Sequence, residues 1–201
     1  GGTYLWSNSA TSATLVDNPA ATTNYSVVFT SANGCVSPSV SGTIVVKPYP
    51  VITSANDTIC FGSSTTLNTN VDLTGGTYTW APLAATSASI TVSPAATTTY
   101  TVIYNLLGCQ DTTSATVLVN PIPVATTSNA VMRFGDVINL IASANLPNGT
   151  FLWSTTETND TISISPASNT AYTVTYTLNN CTSPVATAQV TVNPIPVVTL
   201  N

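Results

Sequence analysis

The sequence predicts an all-β chain built from tandem β-sandwich repeats of about 73 residues that form an extended rod. Three observations carry that prediction. First, landmarks recur: Trp6, Trp80 and Trp153, then Cys35, Cys109 and Cys181, then Pro50, Pro123 and Pro196 each return after 72 to 74 residues. A fixed period of that length outranks the one or two domains that 201 residues alone would suggest. Second, apolar residues alternate with Thr and Ser, which is the period of a strand with one buried face. Third, 39 threonines stand against a single Glu and a single Lys, so strand formers abound and strong helix formers are scarce. The period divides the chain into a partial repeat lacking its N-terminal strands (1–49), complete repeats at 50–122 and 123–195, and the start of another at 196–201.

Each repeat offers the same elements in the same order. Thr3-Tyr4-Leu5-Trp6, Thr77-Tyr78-Thr79-Trp80 and Thr150-Phe151-Leu152-Trp153 read as strands whose aromatics at i and i+2 share one face. A Pro then precedes a Tyr by six residues: Pro19 and Tyr25, Pro94 and Tyr100, Pro166 and Tyr172. The Pro marks a turn, and the Tyr opens a second alternating strand. Its faces are Tyr25-Val27-Phe29, Tyr100-Val102-Tyr104 and Tyr172-Val174-Tyr176, expected to meet the Tyr78-Trp80 type of face in the core. Thr43-Val45, Ala115-Val117-Val119 and Ala188-Val190-Val192 close the repeats as further half-buried strands, all read as antiparallel.

Trp6, Trp80, Trp153, Tyr25, Tyr100 and Tyr172 are thus structural core positions. Core-facing positions take 12 of the 15 aromatics and leave Tyr49, Phe61 and Phe134, too few for a base- or sugar-stacking platform. About seven strand signals per repeat, a central-strand Trp and a Tyr just after a turn point to an immunoglobulin-like sandwich. In that fold the hydroxyl of the corner Tyr, here Tyr100, bonds back to upstream backbone. Lys47-Pro48-Tyr49-Pro50, Asn120-Pro121-Ile122-Pro123 and Asn193-Pro194-Ile195-Pro196 join the repeats; alternating Pro makes such junctions short and stiff.

Charge excludes several function classes. Charged residues make up 4% of the chain, the basic ones are Lys47 and Arg133, and His is absent. Binding nucleic acid or an anionic membrane surface requires clustered Lys and Arg, so neither partner is expected. No apolar run reaches the roughly 18 residues of a transmembrane segment. The seven acids form no catalytic pattern: Glu157 and Asp160 are close in sequence but on a loop, and no nucleophile–base or phosphate-binding motif occurs. Asp57, Asp72, Asp111 and Asp136 lack calcium-loop spacing, and the cysteines lack zinc spacing, so no metal, cofactor or enzymatic activity is expected.

Cys60 and Cys109 fall within one complete repeat and form the natural disulfide, provided that both lie at the same pole of the sandwich. Closing that loop would stabilise the repeat by roughly 4 kcal/mol in the chain-entropy account. The partner of Cys35 would lie upstream of Gly1. Cys181 stands alone, because Arg133 takes the position of Cys60 in the third repeat. Such cysteine usage points to an oxidising, extracellular setting.

Asn56 to Gly62, Thr77 to Trp80, Ser93 to Val102, Gly108-Cys109 and Val119 to Pro123 together resemble the Ig-like/PKD-like repeats of Bacteroidota cell-surface proteins. The likeness covers essentially the whole chain. It implies a segment of a large surface adhesin of the gliding-motility type, exported by type IX secretion. In that group Asp-Thr motifs carry O-linked glycans, and the resemblance therefore nominates Thr58, Thr112 and Thr161 as glycosylated residues of a glycoprotein. The functional expectation is a structural stalk or filament segment at the cell surface. It would hold an adhesive region away from the cell, with neighbouring repeats as its partners, and surface glycans or other cells would be met through regions outside these residues. Two alternatives fit the same residues: a carbohydrate- or protein-binding Ig-like module, and a non-catalytic spacer of a secreted hydrolase.

Overall fold

The computed structural model describes residues 1–198, and every regular element among them is a β-strand. Two compact units form. One comprises Gly1–Ser54, Asn68–Ala88 and Thr101–Ser114; the other comprises Ala55–Leu67, Ser89–Tyr100 and the chain from Ala115 onward.

In the first unit, β1 (Gly2–Trp6), β2 (Thr23–Ser31) and β3 (Val40–Ile44) make one antiparallel sheet in the order β1-β2-β3. Tyr25 is buried on this sheet, whereas Trp6 is half-buried and Ile44 is exposed. Short β4 (Ile52–Ser54) pairs with the second half of β6 (Thr65–Val71). β7 (Thr77–Ala81) pairs with β9 (Thr98–Leu106), which turns back into β10 (Cys109–Asn120). In the second unit, β5 (Asp57–Cys60) lies along the end of β10, and β8 (Ser89–Val92) lies beside the start of β6.

The remaining strands are β11 (Ala125–Thr127), β12 (Ala130–Arg133), β13 (Ile138–Ala144), β14 (Thr150–Trp153), β15 (Thr161–Ile164), β16 (Thr170–Leu178), β17 (Cys181–Thr182) and β18 (Ala186–Asn193). Their sheet orders are β11-β13-β15 and β12-β18-β16-β14, with β17 added to β16. This duplicates β4-β6-β8 and β5-β10-β9-β7. In both repeats the opening strand is broken in two, and the halves join different sheets. Each half is itself an edge strand of only three or four residues, and so short an edge is a poor template for association.

That break corrects the all-antiparallel reading. β5 and β10 pair in parallel, with Cys60 opposite Asn120, and β12 and β18 pair in parallel, with Arg133 opposite Asn193. A first strand that swaps sheets lies beside the last strand of its repeat, and both run the same way. Alternation reports which face is buried but not strand direction, so the sequence pattern is the same either way.

The core of the third repeat is a single cluster drawn from both sheets. Met132, Trp153, Tyr172, Val174, Ala188 and Val190 come from one sheet; Leu140, Ala142, Ile162 and Ile164 come from the other. The second repeat buries the corresponding residues, with Trp80 at 0% exposure and Tyr100, Val102, Ala115 and Val117 all buried. The Tyr-Val-Tyr and aromatic-Trp faces do not oppose each other across the core. They lie side by side in one sheet, because Tyr78 is in register with Tyr104 and Phe151 with Tyr176. The ring centroids of those pairs are 4.8 and 4.7 Å apart, tilted as aromatic quadrupoles favour.

The corner hydroxyl also belongs to a different residue from the one expected. Tyr104, not Tyr100, donates its hydroxyl to the Leu73 carbonyl at 2.7 Å and accepts the Gly76 N–H at 2.8 Å. Tyr176 does the same with Leu146 at 2.8 Å and Gly149 at 2.5 Å. Gly76 and Gly149 are required by that approach, since a β-carbon at either would collide with the Tyr ring and a backbone carbonyl. Each tryptophan has a polar duty as well. The indole N–H of Trp6, Trp80 and Trp153 donates at 2.9 Å to the carbonyls of Ser12, Ser87 and Asn159, tying down the loop that follows.

Candidate functional site

Among the described residues no three His, Cys, Asp or Glu side chains come together, and no helix is long and apolar enough to cross a membrane. The acids serve as acceptors for backbone N–H groups that the ladders leave unpaired. Asp72 accepts the Val51 N–H at 2.7 Å, and Asp111 accepts the N–H groups of Ile52 at 2.9 Å and Thr112 at 2.8 Å. Asp57 takes the Thr58 N–H at 2.7 Å and the Thr65 hydroxyl. The Thr65 hydroxyl, then the Thr58 N–H, hold the Asp57 carboxyl below the usual carboxylate range. Asp17 is lowered likewise, first by the Tyr25 hydroxyl at 2.7 Å, then by the N–H of Asn18 and the side chain of Asn8. Glu157 and Asp160 are exposed on their loop.

The proposed glycan acceptors Thr58 and Thr112 are exposed on β5 and β10, while Thr161 is half-buried at the start of β15. The spare aromatics Tyr49, Phe61 and Phe134 are all exposed. Beside Phe134 lies a shallow groove lined by Ala167, Asn169, Val192, Pro194 and Ile195.

The most distinctive chemistry joins the opening strand of the second repeat to a turn of the third. The structure pairs Cys60 with Cys181, with the Cα atoms 5.6 Å apart. It does not pair Cys60 with Cys109, whose thiol is free and half-buried. Strand geometry explains the correction. Cys60 sits across from Asn120 at the far end of β10, and Cys109 begins that strand. Eleven residues at ~3.3 Å each separate the two positions by roughly 36 Å, whereas a disulfide needs Cα atoms within about 7 Å. Cys60 and Cys109 therefore lie at opposite poles, the arrangement under which the expected bridge could not close.

Around the bridge, the Phe61 N–H donates to the Asn120 carbonyl at 2.8 Å. The Asn120 side chain makes a long contact of 3.5 Å to the Asn179 carbonyl. Asn179 and Asn180 both have positive φ, 49° and 63°, which forms the tight turn between β16 and β17 and leaves Cys181 buried at 1% exposure. The corresponding turn in the second repeat, Leu107-Gly108 with φ of 53° and 88°, is held in the same way: Lys47 donates its ammonium to the Leu107 carbonyl at 2.6 Å. Lys47 and Asn120 each immediately precede the Pro-x-Pro junction. Both therefore reach from the end of one repeat to the β-turn of the next.

Facing sheets, a divided first strand, a buried Trp and an aromatic–hydroxyl corner define a tandem immunoglobulin-like β-sandwich chain. No family model and no curated protein sequence matches it. Among solved structures it is similar to titin I-band domains I67–I69 in an E-to-A variant, at 9% identity and TM-score 0.49, covering 94% of this chain and 87% of that one. It is also similar to extracellular domains 3–5 of Drosophila OTK, at 10% identity and TM-score 0.48, over 86% and 71% of the two chains. Immunoglobulin domains 1–4 of Sidekick-1 are similar at 14% identity and TM-score 0.43, over 96% and 68%.

Proposed function

We propose that this chain is a tension-bearing stalk segment of an extracellular surface adhesin, with residues 1–49, 50–122 and 123–195 as successive beads. The parallel pairing of first and last strands carries the reading. When no covalent cross-link bypasses it, a repeat takes tension through its first strand and passes it on through its last, so that β5 is pulled against β10 and β12 against β18 along their length. The ladder hydrogen bonds run across the strands, so they are loaded together in shear rather than opened one at a time. Pro-x-Pro junctions with a side chain reaching the next repeat resist bending at the joints. The disulfide supports an oxidising, extracellular location.

Small-angle scattering of the chain tests the stalk directly. A compact particle of this length would have a radius of gyration of about 17 Å. Under the stalk reading, beads laid end to end, each about 40 Å long as set by a 12-residue strand, would make a rod on the order of 100 Å with a radius of gyration near 29 Å. A measured value near the compact one would sink the proposal.

A further inference from the structure

We propose that the Cys60–Cys181 disulfide is a mechanical shunt, across which tension along the chain passes while the strands it encloses remain unloaded. The inference rests on the stalk reading above, since a chain that carries no tension has no use for a shunt.

The argument is one of connectivity. The two cysteines are 121 residues apart in sequence, yet their Cα atoms lie 5.6 Å apart. Every strand from β6 to β16 lies inside the covalent loop. Tension arriving along the chain reaches Cys60 at the end of β5, crosses two sulfur atoms and leaves through Cys181 at the start of β17. It never enters the loop. Fully extended, 121 residues span about 420 Å at ~3.5 Å each. The bridge withholds that length from any stretched state. The pairing read from the sequence, Cys60 with Cys109, would have enclosed 49 residues and withheld about 170 Å within a single repeat. Both anchors are well seated: Cys60 is held by β5 against the Asn120 end of β10, and Cys181 is buried opposite Leu178 in the β16–β17 turn. In the third repeat Arg133 occupies the place of Cys60, so the shunt is a property of one junction rather than of the fold.

Pulling the intact chain by its two ends in a force spectrometer tests the shunt. The oxidised chain is expected to reach a final length about 420 Å shorter than the same chain in dithiothreitol, and a Cys60→Ala chain should match the reduced length in either buffer. Equal lengths with and without reductant would overturn the proposal, as would a difference near 170 Å. Should the variant fail to fold, the reductant comparison on the unmodified chain still decides. A compact radius of gyration would refute the stalk without changing the hidden length, so the two failures can be told apart.

Discussion

Replacing Tyr176 with Phe removes one oxygen and leaves the ring in place, so it isolates the corner that sequence reading assigned to another tyrosine. The hydroxyl donates to the Leu146 carbonyl at 2.8 Å and accepts the Gly149 N–H at 2.5 Å. Phe leaves a donor and an acceptor without partners, and both backbone groups are only half-buried, so water compensates in part. The expected loss is about 1–3 kcal/mol, the range for partly buried polar groups deprived of a partner. For a repeat of this size each kcal/mol lowers Tm by roughly 4–8 °C. Because the chain contains several repeats, a single global transition is a poor measure, and the local readout is amide exchange at Gly149. Its exchange should accelerate by about 5- to 150-fold, which corresponds to that free energy. The paired variant Tyr104→Phe should do the same at Gly76 and leave Gly149 untouched. Unchanged exchange at Gly149 together with an unchanged Tm would show that the hydroxyl does not hold the corner.

Two further outcomes follow from the same geometry. Gly76→Ala drives a β-carbon into the Tyr104 ring and the Asn105 carbonyl, so the second repeat should lose roughly 1–3 kcal/mol as backbone is displaced, measurable as a lower urea midpoint. Asp57 and Asp17 titrate below their ordinary values in the folded chain, so their contributions are present above the unfolded carboxylate range. Stability should therefore stay level from pH 8 to 5 and fall as pH drops through the ordinary carboxylate range and on through the lowered folded values, by a small amount because both groups are exposed; an Asp57→Asn chain showing the same acid loss as the parent would contradict the assignment to Asp57.

Much of this architecture is legible in the sequence because the period repeats it. Trp80 and Trp153, one per period, lie in the buried interior, and the alternating runs form the strands of the sheets. What eluded reading has specific causes. Tyr104 and Tyr176 alternate like any core residue, and nothing in alternation separates a ring with a partnered hydroxyl from one without. A signal was present: Gly2, Gly76 and Gly149 each stand four residues before the Trp, and each lies against the aromatic at Phe29, Tyr104 or Tyr176. The disulfide is not legible in the sequence because neighbours along the chain need not be neighbours in space. Cys109 is the nearer partner along the chain, but a 12-residue strand carries it to the opposite pole.

The internal repeats also show which features the fold demands. Asp72 accepts the Val51 N–H at 2.7 Å, and at the corresponding place Asn145 accepts the Val124 N–H at 2.8 Å. Thr22, Thr97 and Asn169 receive the N–H groups of Val46, Val119 and Val192 at 3.0, 3.1 and 2.8 Å. Across these positions the acceptor oxygen persists while charge and side-chain length change. What each repeat requires there is a partner for a backbone N–H at the edge of a ladder, which a neutral amide or hydroxyl supplies as well as a carboxylate. A fold that meets its edge requirements with Thr and Asn can be built almost without charge. The junction follows a different rule. The turn is approached from the preceding repeat by Lys47 in one case and Asn120 in the other, and Cys60 gives way to Arg133 at the opening strand's end. The interior of each bead is therefore fixed by backbone geometry, while the joints vary in chemistry, from an ammonium on a carbonyl to a covalent bridge. In a chain under tension, that is where stiffness and strength can be set joint by joint without altering the beads.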